Sequence, residues 1–128
     1  MMQRFTDDAQ RVLSFAQEAA LELGHDYVGT EHVLIGLTKV KNGVAAKALE
    51  ELGIVTEDIF EAVEEQVGRG NKKATSIYMT PRVKNVLELA VQVANRMNHN
   101  YVGTEHILLA FLKINSRETE SLISAGAN

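Results

Sequence analysis

Sliding the sequence along itself by 74 residues lays Thr6 on Thr80 and His25 on His99. The same shift lays Tyr27-Val28-Gly29-Thr30-Glu31-His32 on Tyr101-Val102-Gly103-Thr104-Glu105-His106. Over positions 6–39 against 80–113, 14 of 34 residues are identical, six of them consecutive. Apolar character persists where identity does not, as with Phe15 opposite Leu89 and Leu23 opposite Met97. Such a repeat is one supersecondary unit written twice, so the fold must seat two equivalent units against each other.

Each copy opens on the same helical pattern. Ala9, Val12, Leu13, Ala16, Ala20 and Leu23 recur at three- and four-residue steps, and so do Val83, Val86, Leu87, Ala90, Ala94 and Met97. Thr6 and Thr80 stand where an N-cap belongs, and Pro81 takes the first helical position, where its missing N–H costs nothing. Gly24 and Asn98 suit left-handed C-terminal caps. A loop over 25–29 leads to a second helix, expected to be capped by Thr30, with Val33, Leu34 and Leu37 on one face. Asn42-Gly43 breaks it. A third helix buries Ala45, Ala48, Leu49 and Leu52, and a fourth from Thr56 buries Ile59, Phe60, Val63 and Val67.

Copy two predicts helices near 81–97, 105–114 and 117–125, and lacks a fourth. The expected fold is all-α, with about seven helices: a tandem, pseudo-twofold repeat of a four-helix motif whose second copy misses its last helix. Repeat 1 spans 5–67, a polar, glycine-containing linker 68–78, and repeat 2 79–128. Ser76–Met79 alternates but is too short to build a sheet. A unit of about 70 residues has a thin core, so the halves are expected to share one interior and to form a single domain over 1–128.

Composition narrows the chemistry. The absence of cysteine removes disulfides, thiolate metal sites and thiol nucleophiles, and fits a cytoplasmic location. Seventeen acidic against thirteen basic residues, a net charge of −4, argue against nucleic-acid partners, which need a basic face. No apolar run approaches the roughly 20 residues of a membrane span, and no membrane partner is expected. Phosphate loop, serine elbow and His-Glu-x-x-His zinc helix are all missing, so no residue is assigned a catalytic role.

The four histidines form two His-x6-His pairs, each beside a glutamate. His32 with Glu31 raises the idea of a metal site. Neighbours on a helix diverge by about 100°, however, and would not converge on one ion. The competing reading, with no metal, is that the histidines fasten the loop–helix junction through backbone hydrogen bonds. Glu31 and Glu105 sit in the first turn of their helices, where a carboxylate stabilises by about 0.3–1 kcal/mol. That effect does not explain a whole hexapeptide surviving in both copies; packing of its Tyr, Val and Gly, or a binding role, would. Thr6 and Thr80 likewise read as plain caps or as anion sites built from free helix-start N–H groups. A ligand carrying an anionic and a cationic end could lie between such a helix start and a carboxylate.

Arg4-Phe5-Thr6, Gln17-Glu18-Ala19, the doubled Gly-Thr-Glu-His, Val44-Ala-Ala-Lys-Ala-Leu and Thr80-Pro81-Arg82 together resemble the Clp N-terminal repeat domain, nearest to that of the ClpC AAA+ unfoldases. The resemblance implies a non-enzymatic domain that recognises substrates and adaptors ahead of two ATPase modules feeding the ClpP peptidase. It implies partners of two kinds: adaptors of the MecA type and proteins marked with phosphoarginine. No cofactor is implied in this chain, ATP belonging to the ATPase modules. Carried over, the phosphoarginine sites are Glu31 and Glu105, holding the guanidinium, and Thr6 and Thr80, near the phosphate. Which threonine serves which glutamate stays open. Phe5, Met79 and Arg82 match a possible adaptor or peptide surface, although Phe5 and Met79 could equally be hydrophobic staples on their own helices. Copy two departs from the family pattern over Ala110–Ser116 and in its polar last helix. Ending at Asn128 suggests an excised domain or, alternatively, a stand-alone regulator competing for adaptors or substrates.

Overall fold

The computed structural model describes residues 4–71 and 77–114. Its elements in chain order are α1 (Asp7–Glu22), β1 (Tyr27–Val28), α2 (Thr30–Lys39), α3 (Val44–Glu51), α4 (Thr56–Val67), β2 (Tyr78–Met79), α5 (Pro81–Arg96) and α6 (Thr104–Ile114). The fold is all-α as expected, with six helices among the described residues. The helix predicted near 117–125 lies outside them.

The two long helices form as their caps dictate. Thr6 Oγ1 accepts from the Ala9 amide at 3.0 Å, and Thr80 Oγ1 from the Val83 amide at 3.2 Å. Gly24 and Asn98 close these helices with φ of 76° and 61°, the left-handed region. α1 then packs on α2 and α5 on α6. The α1–α2 contact is close because Gly36 lacks a side chain; a Cβ there would stand 2.2 Å from the Val12 carbonyl oxygen.

The expected role of Thr30 is corrected. Gly29 is the N-cap of α2, and Thr30 is the first helical residue, buried. Glycine offers no capping oxygen, and His32 compensates by accepting the Gly29 amide on Nδ1 at 2.8 Å, half of a capping box with imidazole replacing carboxylate. His106 does the same for Gly103 at 2.8 Å. The hydroxyl of Thr104 serves the other copy instead. It accepts from the Ala45 amide at 3.2 Å, capping α3, whose own N-cap is the bare Gly43.

A second correction concerns strands. β1 and β2 pair in parallel, with Tyr27 opposite Tyr78 and Val28 opposite Met79. Phe5 forms an equivalent parallel bridge with Val102. The 74-residue shift turns Phe5 into Met79 and Val102 into Val28, so the two pairings are images of each other. Each copy's Tyr-Val thus hydrogen-bonds to the residue preceding the long helix of the other copy, the reciprocal pattern of an isologous contact. Alternation could not reveal strands of two residues.

One contiguous apolar cluster draws on both copies, with Val12, Leu34, Ile35, Ile107 and Phe111 all fully buried. α6 of the second copy packs against α1, α2 and α3 of the first. The described start of the predicted linker is fastened down: Gly70 donates its amide to the Leu23 carbonyl at 2.9 Å, and Arg69 donates Nη1 to the Glu22 carbonyl at 3.0 Å while pairing with Glu64.

Candidate functional site

The repeated hexapeptide is built from its aromatic residue upward. The Tyr27 ring stacks on His25, centroids 5.2 Å apart and planes 13° off parallel. Tyr101 stacks on His99 at 4.9 Å and 12°. From these positions the Tyr27 hydroxyl donates to Glu31 Oε2 at 3.4 Å, and the Tyr101 hydroxyl to Glu105 Oε2 at 3.3 Å. Partial burial, together with the Glu31 carboxylate, pushes the Tyr27 phenol up.

Behind each tyrosine lies a histidine pair. His25 Nδ1 and His32 Nε2 are 2.9 Å apart, and His25 Nε2 lies 2.8 Å from the Gly68 carbonyl oxygen. The Gly29 amide can only donate, so His32 Nδ1 is bare and its Nε2 carries the proton, donating to His25 Nδ1. His25 then donates from Nε2 to Gly68, and every polar atom of the relay is satisfied with both rings neutral. His99 and His106 repeat the central bond at 2.8 Å. Burial, reinforced by His25, lowers the His32 pKa to about 4. Burial also lowers His106, an effect that the Glu105 charge opposes and His99 and Arg4 support. Through the Gly29 and Gly103 amides these rings hold the loop–helix junction. No cluster of His, Asp and Glu among the described residues is arranged to hold a metal ion.

Each helix-start threonine meets, across the copies, the strand that precedes a glutamate. The Thr6 amide donates to the Val102 carbonyl at 3.0 Å, and the Thr80 amide to the Val28 carbonyl at 3.1 Å. Val102 is three residues before Glu105, and Val28 three before Glu31. Thr6 therefore stands beside the Glu105 segment, and Thr80 beside that of Glu31. All four side chains are partly exposed. Among the described residues the ion pairs are Arg11–Asp8 and Arg69–Glu64, and neither site glutamate takes part in one.

The surface expected around Phe5, Met79 and Arg82 is only partly there. Phe5 is 3% exposed and belongs to the core, because its bridge to Val102 turns the ring inward; it is not a surface residue. Met79 is half-buried against that core and lines a groove of about 300 Å³ with Gln10, Ser14 and Gln17. Arg82 is exposed in the first turn of α5. The contact of Tyr27 and Tyr101 with the glutamates was not expected from spacing, although both tyrosines lie inside the repeated hexapeptide.

The Clp repeat (R) N-terminal domain family matches residues 4–125. The negative regulator of genetic competence ClpC/MecB of Bacillus subtilis is 50% identical over 113 residues, which is 88% of this chain and 14% of that protein. The ClpC ATP-binding subunit of Staphylococcus saprophyticus is 47% identical over 112 residues, again 88% of this chain and 14% of the relative. The chain thus spans about one-seventh of the length of these relatives. Among solved structures, the N-terminal domain of ClpD from Arabidopsis thaliana superposes with a TM-score of 0.83 at 28% identity, covering 100% of this chain and 88% of that one. The N-domain of ClpV from Vibrio cholerae shares the fold, with a TM-score of 0.79 at 18% identity over 98% of this chain and 78% of that one. With the doubled motif, the helical repeat and the family match in agreement, the chain belongs to the Clp repeat N-terminal domain family.

Proposed function

We propose that this chain is a recognition domain of a cytoplasmic Clp-family unfoldase, one that binds phosphoarginine-marked proteins and docks adaptors of the MecA type. On this reading it has no catalysis of its own, and ClpP is reached only through ATPase modules outside the chain. The observation that carries the reading is the seam between the copies. It bonds the capped helix start at Thr6 to Val102, three residues before Glu105, and that at Thr80 to Val28, three before Glu31, which supports two twofold-related pairings of amide-rich helix tip and carboxylate. Phosphoarginine bears a phosphate on a guanidinium, so it needs an anion site and a carboxylate close together. Charge-assisted hydrogen bonds to both ends are short and individually strong.

The test is Glu31→Ala combined with Glu105→Ala, titrated with phosphoarginine by calorimetry and checked by circular dichroism. Loss of binding with an unchanged helical signal is expected. Unchanged affinity in that double variant refutes the site.

A further inference from the structure

The glycine of each hexapeptide is not required by its backbone. Gly29 has φ −97° and ψ 177°, an extended conformation that any residue adopts. What it supplies is room. A Cβ at Gly29 would stand 2.4 Å from Glu31 Oε1 and 2.9 Å from its carboxyl carbon. At Gly103 the same distances, to Glu105, are 2.4 and 3.0 Å. Each glutamate therefore folds back across the α-carbon two residues before it, towards the helix start. Its second oxygen meets the tyrosine hydroxyl, at 3.4 Å in one copy and 3.3 Å in the other. The tyrosine is itself wedged, stacked on one histidine and edge-on to the next, with Tyr27 and His32 centroids 5.3 Å apart at 62°. Each carboxylate is thus bounded on both oxygens by the same two neighbours in both copies.

We infer that Tyr27 with Gly29, and Tyr101 with Gly103, are positioning residues that preset the carboxylates of Glu31 and Glu105 to receive a planar guanidinium. The inference rests on the function proposed above. A guanidinium presents its donors in a rigid fork, so its affinity depends on the plane and direction of the carboxylate that meets it. A carboxylate already held in that orientation loses less freedom on binding. It offers about four lone-pair sites, of which the tyrosine occupies one. Hydroxyl bonds as long as these are too weak to matter much to the fold, which separates positioning from stability.

The experiment uses two double variants of the whole chain, Gly29→Ala with Gly103→Ala, and Tyr27→Phe with Tyr101→Phe. The three atoms nearest the alanine methyl all belong to the tip of a flexible side chain, so the carboxylate can give way before the backbone does. Phenylalanine keeps the stack on histidine and deletes the hydroxyl alone. Calorimetric titration with phosphoarginine should show roughly tenfold weaker binding for the glycine pair and about threefold for the tyrosine pair, with melting temperatures close to the parent's. In the free parent, NMR couplings about χ1 of Glu31 and Glu105 should report a single rotamer, and averaged rotamers in both variants. If Glu31→Ala with Glu105→Ala abolishes binding while both double variants bind like the parent, the positioning role is wrong and the proposed function stands. If the glutamate variant still binds, the proposed function is wrong. Averaged couplings in the parent overturn the positioning role whichever way the titrations fall.

Discussion

The backbone amide of Thr6 donates to the carbonyl of Val102 at 3.0 Å, tying the start of the first copy's long helix to the strand that precedes Glu105 in the second. Its image joins Thr80 to Val28 at 3.1 Å. On the proposed function this seam pairs Thr6 with Glu105 and Thr80 with Glu31, and that pairing can be measured.

In a double-mutant cycle on phosphoarginine affinity, Thr6→Ala should couple to Glu105→Ala and be additive with Glu31→Ala. Residues sharing a ligand are non-additive by about 0.5–3 kcal/mol, whereas distant ones add. Because Thr6 also caps α1, the substitution should lower stability by about 1 kcal/mol, so affinities must be compared where the variants remain folded. Coupling of Thr6 to Glu31 instead would reverse the assignment.

Acid should destabilise the fold through the histidine relay. Folding holds His32 at about 4 against an ordinary 6.5. Between those values the unfolded chain takes up a proton that the native chain refuses. The stabilisation is complete above pH 6.5 and is lost as the pH falls through 4, at a cost on the order of 3 kcal/mol. His106, lowered by burial, acts in the same direction. Urea unfolding at steps from pH 7.5 to 4 measures the slope; equal midpoints across that range contradict the relay.

Thr104→Val should loosen a helix in the other copy. The hydroxyl caps α3 through the Ala45 amide, and valine of similar shape leaves that buried N–H without its partner. A loss of about 1–3 kcal/mol is expected. Hydrogen exchange at Ala45 should accelerate more than exchange within α1; protection at Ala45 equal to the parent's rules the cap out.

A fragment of residues 1–75 should melt broadly. It keeps α1 to α4 but loses α6, which packs against α1, α2 and α3, and it loses the partners of both seam pairings. A sharp melt near the parent's temperature shows instead that the first copy folds alone.

The repeat, the four-helix pattern of the first copy, the capping threonines and the left-handed closures at Gly24 and Asn98 were all legible in the sequence. Each is local: spacing, cap and handedness are settled within a turn or two of chain. Other expectations do not hold: Leu52 and Val67, expected to be buried, are 69% and 45% exposed. Thr30 looked like a cap, yet it is buried in α2 with His32 answering the glycine before it. Phe5 looked like surface and is core, because its partner is Val102, 97 positions away.

What the sequence determined by itself is a doubled helical unit, with a threonine cap on each long helix and a glutamate in the first turn of the helix that follows, since periodicity and capping are properties of neighbouring residues. Only the tertiary structure decided that Thr6 is bonded to Val102 and Thr80 to Val28, and that Thr104 caps a helix it does not precede. Those pairings come from two copies docking reciprocally and sharing backbone hydrogen bonds at the seam. No local pattern encodes which copy supplies the partner.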